Sequence, residues 1–124
     1  MKANKSMGIW MDHSSADIID LKKENKNTIT SKFTADIKED ALGRSENLMH
    51  NKRQQMLEAY YKEIATKILS YDHVVLFGPT NAKTELYNYL NKDAHFKDVK
   101  IDVKSADKLT DNEKKAFVRD YFDN

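Results

Sequence analysis

Apolar positions follow two rhythms along the chain, one with period two and one at helical spacing. Residues 7–11 form an apolar run containing Trp10, and the turn formers Asp12, Ser14 and Ser15 stop it, which predicts a first strand. Residues 16–21 carry Ile18, Ile19 and Leu21 and read as a second strand. Residues 28–34, TITSKFT, alternate strictly and are rich in β-branched side chains, as a half-buried strand is. The charged, Asn-bearing stretch 22–27 between them suits a hairpin loop. A three-stranded antiparallel meander follows.

The rhythm then changes. Residues 36–48 have neither period, hold Gly43 and alternating charges, and read as a loop. Leu57, Tyr60, Tyr61, Ile64, Ala65, Ile68 and Leu69 recur at the spacing of a single helical face. They predict a helix from about residue 50 to residue 69, roughly 30 Å long at the standard rise and able to cross a sheet. Residues 73–77, HVVLF, are a short continuous apolar run, the mark of a strand buried on both faces. Gly78-Pro79-Thr80-Asn81 breaks that run, and a helix opens with Ala82, Leu86, Tyr89 and Leu90 on one side. Val99, Ile101 and Val103 alternate as a fifth strand. Thr110 and Glu113 have the spacing of a capping box, in which hydroxyl and carboxylate satisfy each other's helix-end donors. Phe117, Val118, Tyr121 and Phe122 are the apolar face of the last helix.

The order β-β-β-α-β-α-β-α combines a meander with two strand-helix-strand crossovers, which require parallel neighbours. The expected fold is α/β, a five-stranded mixed sheet with helices on its faces and the outline of the ribonuclease-H-like class. A length of 124 residues fits one domain, residues 7–124, behind a short tail at 1–6. Composition narrows the function. Lys plus Arg number 21 and Asp plus Glu 20, so the net charge of +1 lacks the broad basic field of a general nucleic-acid coat. The chain has no cysteine, which excludes disulfides, thiolate zinc sites and thiol nucleophiles. No apolar run approaches the ~20 residues that cross a bilayer, and residues 1–6 are not followed by the apolar core of a signal peptide. The expectation is a cytoplasmic protein without a membrane partner.

Three candidate chemistries can be weighed from the residues. A two-metal nuclease needs carboxylates at the end of the first strand, on the first helix and beside the fourth strand. Asp12 fits the first place and Glu58 or Glu63 the second, but the fourth strand ends in Phe77-Gly78-Pro79. A nuclease is therefore disfavoured. The turn Gly78-Pro79-Thr80-Asn81-Ala82-Lys83-Thr84 has the context of a phosphate loop, yet it is one residue short and has Ala82 where the second Gly belongs. It reads as a strand-to-helix turn capped by Thr80 or Asn81, or as helix-start N–H groups holding one anion beside Lys83. The histidines His13, His50, His73 and His95 contain no i, i+4 pair for zinc. They read as surface residues, and the neighbouring Asp12, His13, Ser14 and Ser15 do not converge as a triad would. No cofactor is expected. Arg44, His50, Lys52 and Arg53 gather before and within the start of the long helix. Cations are unfavourable at a helix start, so the cluster reads either as a site for an anionic partner such as an RNA backbone or, since Glu46, Glu58 and Glu63 dilute it, as a plain solvated face.

Residues 30–36, the helix beginning near Asn51-Lys52-Arg53, and above all VVLFGPTNAKTEL at 74–86 resemble the central domain of eukaryotic and archaeal release factor 1 and Pelota. The resemblance spans about residues 7–122 and implies a ribonuclease-H-like sheet and a place in translation termination or ribosome rescue. Release factors carry a Gly-Gly-Gln loop before the long helix. Here that stretch is Ala41-Leu42-Gly43-Arg44-Ser45-Glu46-Asn47, so no peptide-release residue carries over. Pelota also lacks the tripeptide. The resulting expectation is a non-catalytic ribosome- or RNA-associated domain with Arg44, Lys52, Arg53 and Lys83 as phosphate contacts. A protein-interaction or stress-response adaptor that binds no nucleic acid is the alternative, and the oligomeric state is open.

Overall fold

The computed structural model describes residues 5–22, 27–30 and 46–123, with side chains in the first helix described from residue 54 onward. Strand β1 (Ser6–Met11) is buried along almost its whole length. Side chains alternate across a strand, so Met7, Ile9 and Met11 enter one apolar cluster while Trp10 enters another on the opposite face. Strand β4 (His73–Gly78) repeats the arrangement, with Val74 and Leu76 on the first side and Val75 and Phe77 on the second. That double burial is why its sequence is continuously apolar rather than alternating.

Strands β2 (Ser15–Ile19) and β3 (Asn27–Thr30) complete an antiparallel meander, with Ile9 opposite Ile18 and Ala16 opposite Ile29. On the other flank β4 runs parallel to β1, and β5 (Lys100–Ser105) parallel to β4. The sheet order is β3-β2-β1-β4-β5. Helix α1 (Glu46–Ile68) and helix α2 (Ala82–Asn91) cover the face of Met7, Ile9 and Leu76, through Tyr60, Tyr61, Ile64, Ile68, Leu86 and Leu90. Helix α3 (Asp111–Asp123) covers the face of Trp10, Val75 and Phe77 with Val118 and Phe117. Its start is the capping box expected from the sequence: the Thr110 N–H donates to Glu113 Oε1 at 2.9 Å and the Glu113 N–H to Thr110 Oγ1 at 3.2 Å.

The differences from the sequence reading lie at element ends. Helix α1 begins at Glu46, so residues 46–48, expected in a loop, are its first turn. The rest of that loop, and residues 31–34 of the third expected strand, lie outside the described residues. Leu69, expected on the buried face, is 51% exposed, and Leu21 is 50% exposed. Both fall just beyond their elements. Past Ile68 the chain turns into β4: the Tyr71 N–H donates to the Ile68 carbonyl, and the Asp72 and His73 N–H groups to the Lys5 carbonyl. The Leu69 N–H still donates to the Ala65 carbonyl, so Leu69 closes the helix one residue past Ile68 with its side chain largely in solvent.

Two glycines are set by close approach. A Cβ on Gly8 would lie 2.2 Å from Val118 Cγ2, so this bare position is where α3 seats on β1. Gly78 has φ +151° and would put a Cβ 2.2 Å from the Met11 carbonyl oxygen, a conformation and a spacing that only glycine meets without strain. On the α3 face Lys114 is only 8% exposed. Its ammonium lies 2.6 Å from Asp17 Oδ2 and 4.0 Å from the centroid of the Trp10 ring, and Asp17 also accepts from the Thr28 hydroxyl. The pair thus ties α3 to β2 and β3 with its charge satisfied.

Gly8→Ala should destabilise the protein by about 1–3 kcal/mol through overpacking. Adding Val118→Ala should recover part of that loss, because it removes the methyl groups that clash. Denaturant unfolding of the single and double variants measures this, and strict additivity would refute the contact. Asp17→Ala should cost about 3 kcal/mol by leaving the buried Lys114 ammonium with only the more distant, exposed Asp111 carboxylate at 3.8 Å, with a change in Trp10 fluorescence as the local signal.

Candidate functional site

The connection from β1 goes outward to β2, whereas β4 enters from the other side. The carboxyl ends of β1 and β4 therefore flank the point where the strand order reverses, the place where open α/β sheets form a crevice. Two turns and two helices meet there.

The first turn leaves β1 at Asp12. Its carboxylate accepts from the Ser14 N–H at 2.7 Å and the Ser15 N–H at 2.9 Å, while the Asp12 N–H donates to the Ser15 carbonyl. The Asp-x-Ser-Ser sequence thus folds on itself, and Asp12 serves its own turn. The Tyr60 hydroxyl from α1 donates to the Asp12 carbonyl at 2.9 Å. Burial, followed by the Asp12 charge, holds the Tyr60 phenol well above its ordinary range, so it remains a donor.

The second turn leaves β4 through Gly78 and opens α2. The Ala82 N–H donates to Thr80 Oγ1 at 3.2 Å, whereas Asn81 makes no side-chain cap bond. Of the two caps read from the sequence, the structure uses Thr80. One turn into α2, Glu85 gathers partners from two other elements. His13 Nε2 donates to its Oε2 at 3.1 Å, and the Tyr61 hydroxyl donates to its Oε1 at 2.7 Å. His13, expected as a surface histidine, is a partner of Glu85 rather than of its neighbours Asp12, Ser14 or Ser15.

The four expected phosphate contacts are distributed unevenly. Lys83 is only 6% exposed, and its ammonium donates to the Thr80 carbonyl. The candidate phosphate contact read from the sequence is thus a buried side chain whose ammonium is engaged within its own turn. Lys52 and Arg53 belong to the amino-terminal half of α1. Arg44 lies outside the described residues. The helix direction places Lys52 and Arg53 at the same end of the molecule as the two turns. The Tyr71 hydroxyl, after α1, reaches Asp20 just past β2 at 2.5 Å, whereas Tyr60 reaches Asp12 at the opposite end of the sheet. Among the described side chains, Leu57 is the most amino-terminal one of α1 packed on the core. From Leu57 back to Glu46 the helix continues for roughly 16 Å at 1.5 Å per residue.

Among the described residues no three of His, Asp or Glu gather as metal ligands, and Glu58 and Glu63 are exposed on α1. No helix among the described residues is long and apolar enough to cross a membrane. The Glu85 junction is what sequence reasoning missed. Glu85 stands 72 positions from His13 and 24 from Tyr61, and no spacing rule connects three elements.

A second polar cluster lies at the other end of β4. His73 Nε2 donates to Asp102 Oδ2 at 2.7 Å, and the Tyr121 hydroxyl donates to the same oxygen. The His73 ring also meets Phe122 edge-on at 4.9 Å. His73, read as a surface residue, is thus half-buried under the end of α3. Burial pushes the Asp102 carboxyl up, but hydrogen bonds from Tyr121 and His73 and the charges of His73 and Lys100 leave it below the ordinary value. Burial and the bond to Asp102 push Tyr121 up to about 12.

These features define an open mixed-sheet α/β fold of the Pelota type. The sequence matches no protein-family model and no curated protein. Among solved structures, the chain is similar to Archaeoglobus fulgidus Pelota, with a TM-score of 0.58 and 10% identity over 96% of this chain and 32% of that one. The chain therefore spans about a third of the length of the Pelota chain.

The Asp102 cluster generates a pH expectation. A lowered folded pKa adds stability above the unfolded value near 3.8, and that stability is lost as pH falls through the folded value. The raised Tyr121 adds stability below pH 10, lost as pH rises toward about 12. Asp102→Asn should cost about 1 kcal/mol at neutral pH and flatten both limbs. Unfolding free energies measured between pH 2 and 11 check this, and unchanged limbs would remove the assignment.

Proposed function

We propose that the chain is a non-catalytic, ribosome- or RNA-associated domain related to translation termination and rescue factors. The observation that carries this reading is the Pelota-like fold over 96% of the chain. The strand order β3-β2-β1-β4-β5, with one helix pair on one face and α3 on the other, is read here as the ribonuclease-H-like, release-factor central-domain type. The amino-terminal half of α1 supports the same reading. It contains Lys52 and Arg53, with Arg44 preceding it in the chain. Because α1 starts at Glu46, Lys52 and Arg53 stand beyond its first turn, and what supports the reading is their positive charge, which suits phosphates neutralised on binding. The stretch 41–47 has one Gly and no Gln, so the role is binding and not peptide release.

One observation favours the adaptor alternative. Leu21 and Leu69, both half-exposed, adjoin in sequence a cleft of about 360 Å³ lined by Ile18, Asp20, Lys67 and Tyr71. An apolar rim of that kind suits a protein partner.

Co-sedimentation with ribosomes across a salt series separates the two. Phosphate contacts should make binding fall steeply with salt, and Arg44→Glu with Arg53→Glu should lower the logarithmic slope by about 2. Absence of binding at low salt would retire the ribosomal reading. Binding unaffected by the double reversal would retire the site.

A further inference from the structure

Glu85 is the one described side chain at the sheet's carboxyl edge that joins the β1–β2 turn, α1 and α2. It receives His13 Nε2 on one carboxylate oxygen and the Tyr61 hydroxyl on the other. Tyr61 itself is buried and packs its ring against Tyr60 at 5.6 Å and Tyr89 of α2 at 6.3 Å. Tyr60 fixes the neighbouring point of α1 to the Asp12 carbonyl. The two tyrosines are consecutive on α1, so their hydroxyls pin the helix in two directions at one level. Amino-terminal to that level, Gln54 and Gln55 are exposed, and Leu57 is the most amino-terminal described side chain of α1 packed on the core. From Leu57 to Glu46 is about 16 Å of helix, so a tilt of about 20° at the pin moves its far end by about 5 Å.

We propose that Glu85 is a positioning residue: through Tyr61 and His13 it sets the angle at which the amino-terminal half of α1 leaves the body. That angle decides where Lys52 and Arg53 stand. The consequence for binding rests on the ribosomal reading above; the angle itself does not. A carboxylate suits the role because it accepts from two donors at once on separate oxygens. Gln offers one acceptor oxygen and, in place of the other, an amide that can face His13. It should preserve the Tyr61 bond, which Ala cannot.

The test uses the absence of native cysteine. Nitroxide labels at Gln54→Cys and Asn88→Cys, both exposed positions, report the distance from the amino-terminal half of α1 to α2 by pulsed electron resonance, with ribosome co-sedimentation in parallel. With Glu85 present the distance distribution should be narrow. Glu85→Ala should broaden or shift it by roughly 5 Å, Tyr61→Phe should do the same while keeping the buried ring, and Glu85→Gln should restore it. Ribosome affinity should fall about tenfold in Glu85→Ala and stay within about twofold in Glu85→Gln. A distribution unchanged in both Glu85→Ala and Tyr61→Phe would overturn the proposal. A shifted distance in a protein that never bound ribosomes would uphold the positioning role and remove the ribosomal reading. A shifted distance with unchanged binding would overturn the link between them.

Discussion

Burial of β1 on both faces is the constraint on which the rest of the structure depends. One side of this strand presents Met7, Ile9 and Met11 to α1 and α2, and the other presents Gly8 and Trp10 to α3. Both sheet flanks pair with it, β2 antiparallel and β4 parallel. Removing a side chain at Gly8 lets α3 come close enough for Val118 to fill the space. Trp10 can then share its ring with Lys114. Each large apolar side chain buried in this way stabilises the fold by about 2 kcal/mol, and the two faces cannot separate without exposing the same strand. The β1–β4 pairing also fixes where the strand order reverses.

Polar groups in this molecule mostly join elements. Lys114 to Asp17 ties α3 to the meander, His73 and Tyr121 to Asp102 tie α3 to β4 and β5, and Glu85 ties α1 to the first turn through Tyr61 and His13. All three are carboxylates that accept from more than one donor. A half-buried carboxylate is costly unless its lone pairs are filled, so each such group commits to a local arrangement. The same commitment withdraws Lys83 from solvent: its ammonium closes on the Thr80 carbonyl within its own turn.

Helix α1 spans 23 residues, against four to six in each strand. Its amino-terminal half lies toward the end of the sheet that carries the Asp12 turn. Fold similarity to Pelota at 10% identity speaks to architecture alone. Fold and site remain separate arguments.

The sequence by itself determined the elements and most of the core. Apolar runs marked β1 and β4, alternation marked β3, and the Thr110–Glu113 spacing marked the start of α3, because each signal is local. It misplaced Leu69 and Leu21, since a stripe does not reveal where the chain turns away. It also left His13 and His73 as bland surface residues. Only the tertiary structure decided that Glu85 meets His13 and Tyr61, that Asp102 meets His73 and Tyr121, and that Lys83 is covered. The Glu85 and Asp102 contacts join residues 19 to 72 positions apart on separate elements, and no repeat length in the chain encodes them. The packing of helices onto a doubly buried strand brings them together.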